Sequence, residues 1–209
     1  MGADAVPAGR KRSAPISASR GSVGAVRWWR VLGAVLACGL LVAGVAIARP
    51  EADGLRFTDQ TPQDLRVVAA RAWQRFSGAL PACAGRLGTV TVGVAWELHD
   101  RARYEPGPAL VLIRAPGTAA NLEASLLHEF AHHAERRCGL SPEFRRRFTA
   151  AGGGAAGTPW RAGPTWDRTP SERFAEAVVR LVLGHPPAHV LIHLRPQEVD
   201  TVAAWAGRG

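Results

Sequence analysis

With 209 residues, 47 % of them hydrophobic, the chain has room for one apolar segment and one globular domain, and a domain of about 150 residues buries a real core without help from disulfides. The formal net charge is +9, almost all of it arginine, with Lys11 the only lysine. Much of the surplus lies in the first fifty residues, and the remainder lacks the interleaved basic and aromatic residues of a nucleic-acid groove, so no nucleic-acid partner is expected.

Residues 1–27 are rich in Ala, Ser, Gly and Arg without apolar periodicity, the composition of a disordered basic tail, here placed in the cytoplasm. Residues 28–49 begin with Trp28-Trp29-Arg30 and continue into the uncharged apolar run 31–48, about the minimum length of a membrane span. The expectation is a single-pass signal-anchor that touches the membrane through residues 31–48, with the following domain on the extracytoplasmic side. The competing reading is a cleaved signal peptide, because Ala46-Ile47-Ala48 is a small-x-small pattern; cleavage near Ala48 would release a secreted domain. Residues 50–60 read as a linker, and residues 61–209 as the folded domain.

Thr61-Pro62-Gln63-Asp64 is a helix start, with a capping Thr, Pro at the first turn and an early acid; apolar residues then recur at helical spacing until Ser77-Gly78. Residues 89–96 alternate Val against Thr and Gly, and residues 109–114 read Ala-Leu-Val-Leu-Ile-Arg; both predict strands. Between them lies a polar loop with His99, Tyr104 and Pro106. Residues 119–138 form an unbroken helical stretch closed by Gly139. Ser141-Pro142-Glu143 begins another helix. Residues 151–163 are a Gly- and Ala-rich connector. Thr169-Pro170-Ser171-Glu172 opens a further helix to Leu183, and a short one is expected over 196–206.

The chemistry centres on Leu127-His128-Glu129-Phe130-Ala131-His132-His133. Residues four apart share a helix face, so His128 and His132 can aim two imidazoles at one zinc ion. Glu129, one residue round, reaches a water beside the metal and serves as general base. His133 points elsewhere, as a surface or supporting group. Among possible third ligands, Glu135 would crowd its own helix, Glu143 and Asp167 have no supporting pattern, and Glu172 is the best placed. Thr169 to Glu172 is also a capping box, in which Glu172 would instead bond its own helix start. Glu176, one turn later, could orient a ligand imidazole. His189 and His193, also four apart, lack the intervening Glu and read as surface residues. Cys83 and Cys138 are a possible disulfide in an oxidising compartment, the alternative being two buried thiols.

The pair formed by His-Glu-x-x-His and Glu172-Arg173-Phe174-Ala175-Glu176-Ala177 resembles the glutamate-type zinc metallopeptidases, the gluzincins, and most of all the peptidase domain of the lethal-factor kind and its bacterial relatives. The resemblance covers residues 119–184 and is concentrated at the two motifs. It implies an α+β zincin-like metallopeptidase domain, mostly helical with a small sheet, here preceded by one N-terminal transmembrane helix. It implies zinc ligands His128, His132 and Glu172, Glu129 as base, Glu176 as support, and a peptide or protein substrate. The strand at 109–114 then becomes the candidate edge for an extended peptide. The chain departs from that pattern by having no Tyr shortly before Glu172; Arg168 or His185 is the candidate oxyanion donor. The alternative function is a catalytically inactive zincin-like ectodomain that binds or regulates.

Overall fold

The computed structural model describes residues 54–155, 157–187 and 192–207. In chain order these form β1 (Leu55–Phe57), α1 (Gln63–Ala79), α2 (Ala84–Leu87), β2 (Val90–Val94), β3 (Ala102–Glu105), β4 (Leu110–Ile113), α3 (Ala119–Cys138), α4 (Pro142–Ala151), a 3-10 turn (Trp166–Arg168), α5 (Pro170–Leu183) and α6 (Pro196–Ala206). The fold is α+β, with a small mixed sheet and six α-helices among the described residues.

The expected membrane helix is not upheld as part of this fold. No helix among the described residues is long and apolar enough to cross a membrane. The longest, α3, has 20 residues but carries charged and imidazole side chains along its length. The run 31–48 lies outside the described residues, as does His189.

The four-stranded sheet has the order β1-β2-β4-β3. β1 and β4 flank β2 in parallel, and β3 pairs antiparallel with β4, Tyr104 opposite Val111. The sheet therefore starts at Leu55, inside the stretch read as a linker, and the polar loop contains a strand. Val90 and Val92 of β2 and Val111 and Ile113 of β4 are fully buried, each pair two residues apart on one face of the sheet. β4 is not the edge; β3 is.

Local signals set the helix ends. Thr118 accepts from the Asn121 backbone N–H and starts α3, and Gly139, at φ 68°, closes it in a conformation that side chains disfavour. Ser141 caps α4 in the same way. At α1 the sequence expectation fails in detail. Thr61 does not cap; it is buried and donates to the Val92 carbonyl at 3.0 Å, tying the helix start to β2.

Helix α3 packs against α1 on one hand and α5 on the other, and also touches β3 and β4. Trp73 and Phe76 of α1 meet Phe130 of α3, with Trp73 and Phe130 edge to face at 5.0 Å. Phe174 of α5 sits among Phe144, Phe148, Trp160 and Trp205. The first cluster joins α1 to α3, and the second joins α5 to α4, α6 and the segment that carries Trp160. Cys83 and Cys138 form a disulfide, with Cα atoms 5.7 Å apart, that joins the last residue of α3 to the start of α2.

Candidate metal centre

His128 and His132 stand one turn apart on α3, their ring centroids 5.0 Å apart. Glu172 lies in the first turn of α5, where the packing of α5 on α3 carries its carboxylate over the same spot. Its Oε2 is 3.1 Å from His128 Nε2 and 3.5 Å from His132 Nε2. One ligand atom from each of these three residues falls within 4.8 Å of the others. Two imidazole nitrogens and a carboxylate oxygen facing one point from two helices can hold a metal ion. Thr169, the other half of the possible capping box, donates to the Thr165 carbonyl and makes no side-chain cap. Glu172 is turned to the imidazoles instead.

Each imidazole has a carboxylate behind it. Glu176 Oε2 is 3.6 Å from His128 Nδ1, and Glu135 Oε2 is 3.7 Å from His132 Nδ1. The Nε2 atoms thus face Glu172 while the Nδ1 atoms face the buried Glu176 and Glu135.

Electrostatics in the metal-free site follow from this crowding. Burial disfavours a charged His128, but hydrogen bonds to Glu172 and Glu176 outweigh it and push its pKa up to about 10. Burial likewise opposes charge on His132, and Glu135 and Glu172 overcome it, raising its pKa. Burial would raise the Glu172 pKa, yet the two imidazoles hold it well below the usual carboxylate range. Glu129 goes the other way: burial raises its pKa, only partly offset by His128, His132 and the Tyr104 backbone N–H. A carboxylate of raised basicity beside a cation-binding cluster is suited to taking a proton.

The cluster opens into a cleft of about 810 Å³ lined by Tyr104, His128, Glu129, His132, Trp166 and Glu172, among others. Trp166 is 46 % exposed and stacks on His128 with 5.9 Å between centroids. Tyr104 reaches the cleft from β3. Its O–H donates to Nδ1 of His133, whose Nε2–H donates to the Leu87 carbonyl, at 3.0 and 2.9 Å. His133 is fully buried, so it braces the helix from within.

The two residues expected as oxyanion donors do not converge on the site. Arg168 is exposed on the 3-10 turn and borders a separate cavity, because that turn directs Trp166, two residues earlier, at the imidazoles. His185 is exposed past the end of α5 and bonds the Pro186 carbonyl.

In the sequence Tyr104 is only part of a polar loop and Trp166 has no assigned role, yet both line the cleft. Both arrive through contacts between distant segments. Glu135 could have been found, since it lies three residues after His132 and so shares its face. The Gly-rich connector is pinned near its end: Trp160 is buried and its Nε1–H donates to Glu135. No family model, curated protein or solved structure matches this chain.

Proposed function

We propose that the domain is a zinc-dependent peptidase of the gluzincin kind, acting outside the cytoplasm on an extended peptide. The observation that carries this reading is the convergence of His128, His132 and Glu172 beside the buried Glu129 at the floor of an open cleft. Zinc held by His128, His132 and Glu172 would supply Lewis acidity to a substrate carbonyl and to the water beside it.

The chain's own groups then have definite tasks. Glu129 takes a proton as the water oxygen attacks the scissile carbonyl carbon. It returns that proton to the amide nitrogen as the carbon–nitrogen bond breaks. β3 ends the sheet, so one of its sides has no partner strand and borders the cleft; a peptide in extended form can add there by backbone hydrogen bonds. Tyr104, on that strand, lines the cleft, and Arg168 and His185 do not. Its hydroxyl is engaged with His133 and would have to leave that partner to donate to an oxyanion. The disulfide supports an oxidising compartment.

That neither Arg168 nor His185 lines the cleft favours a second reading, a metal-holding but non-catalytic module. Zinc content of the purified protein and hydrolysis of a broad peptide library by wild type and Glu129→Gln separate the two. Peptidase function predicts bound zinc in both proteins and turnover in the wild type alone. Bound zinc without turnover would leave the non-catalytic module, and no bound metal would sink both readings.

A further inference from the structure

We infer that Glu135 is the positioning residue for His132, selecting which ring nitrogen is left free for the metal; this rests on the metal-site reading above. Glu135 is on α3, and its side chain is only 1 % exposed. Its two oxygens have different surroundings. Oε1 accepts from Trp160 Nε1 at 3.0 Å and from Arg161 Nη2 at 2.9 Å. Oε2 is buried and has no hydrogen-bond partner, which for a charged oxygen is costly unless something answers it. It lies 3.7 Å from His132 Nδ1.

The arrangement has a chemical consequence. With Oε1 saturated by two donors, the carboxylate can turn only slightly, and Oε2 stays aimed at the imidazole as a pure acceptor. That acceptor favours the tautomer with hydrogen on Nδ1. Nε2, which faces Glu172, then keeps its lone pair for a cation. The short shift that would close the Nδ1 to Oε2 gap also answers the orphaned oxygen. Glu176 stands behind His128 in the same relation. Glu135 differs in its anchors. Trp160 and Arg161 come from the connector between α4 and the 3-10 turn, and Arg161 also lines the cleft. The connector thus orients a metal ligand.

The test compares zinc affinity by chelator competition in wild type and Glu135→Gln, with the melting temperature of each metal-free protein recorded. Glutamine keeps the size and can satisfy Trp160 and Arg161 with its carbonyl. Its amide N–H then faces His132 Nδ1 and favours the wrong tautomer. The expected result is zinc affinity lower by about 10- to 100-fold in the folded variant. A purely structural role would lower the melting temperature and leave the affinity unchanged, which overturns the inference while sparing the metal site. A wild type that binds no zinc overturns both. If the variant does not fold, nitrogen-15 spectra of zinc-loaded wild type labelled at histidine decide the matter. A protonated Nδ1 on His132 is expected; metal on Nδ1 overturns the inference.

Discussion

Glu172 Oε2 lies 3.1 Å from His128 Nε2, although 44 residues of chain separate the two. The contact joins the first turn of α5 to the middle of α3, and it decides whether Glu172 caps a helix or completes a metal site. Replacing Glu172 by Gln keeps the shape and removes the charge. Zinc affinity is expected to fall by more than about 100-fold, beyond the usual loss for an outer partner. Chelator competition on the purified variant measures it, and an affinity within a few-fold of wild type would remove Glu172 from the ligand set.

Zinc binding should release protons. His128, with a pKa near 10, carries a proton at neutral pH in the metal-free protein, and an imidazole must lose it to bind a cation. Apparent affinity should therefore rise with pH from neutral towards about 10. Calorimetry in buffers of different ionisation enthalpy should show about one proton or more leaving per ion. For the metal-free fold the sign is opposite. The raised pKa of His128 contributes stability that is fully present below its ordinary value of 6.5 and is lost as pH climbs through about 10.

Tyr104→Phe removes the donor to His133 Nδ1 and leaves a buried ring nitrogen without a partner. The expected cost is about 1–3 kcal/mol in chemical denaturation. Zinc affinity should be unchanged, because His133 is not among the clustered ligands. A fall in turnover far beyond that loss of stability would instead give the hydroxyl a part in the reaction.

The disulfide closes a loop of 55 residues that holds α2, β2, β3, β4 and α3. The chain-entropy model gives it about 4 kcal/mol. Urea unfolding of Cys83→Ser/Cys138→Ser against wild type should show a deficit of that order. Equal stability would mean the reduced chain is already restrained.

Partly buried Arg173 and fully buried Glu198 form a two-point pair between α5 and α6, at 2.6 and 2.7 Å, and Glu198 also accepts from the Arg195 backbone. Glu198→Ala leaves the guanidinium only the Asp167 and His193 carbonyls and is expected to cost about 2–3 kcal/mol. Thermal or urea unfolding measures it. Since α5 carries Glu172, zinc affinity should weaken with it; a variant with full stability and full affinity would refute the idea that this pair holds α5 in place.

The sequence by itself determined the five longer helices and the order of the motifs; the one-turn α2 carries too little pattern to be read. Residues 119–138 were expected as one helix, and α3 spans Ala119–Cys138, because the apolar spacing, a capping Thr118 and Gly139 are all local signals. The i, i+4 spacing of His128 and His132 puts both rings on one face whatever surrounds the helix. Tertiary structure decided the rest. Thr169 and Glu172 have the pattern of a cap, and only the packing of α5 on α3 turns the carboxylate to the imidazoles. β3, Ala-Arg-Tyr-Glu, alternates over only four residues inside a polar stretch, too short a pattern to mark a strand, so its place as a sheet edge, and that of Tyr104 in the cleft, depends on pairing with β4. Arg168 and His185 were reasonable by distance along the chain, but side-chain direction is set by the turn and the helix end that carry them. Ligand spacing within one turn is local geometry, and so is Glu135 behind His132; the third ligand, the edge strand and Glu176 behind His128 are contacts between segments, which no local pattern encodes.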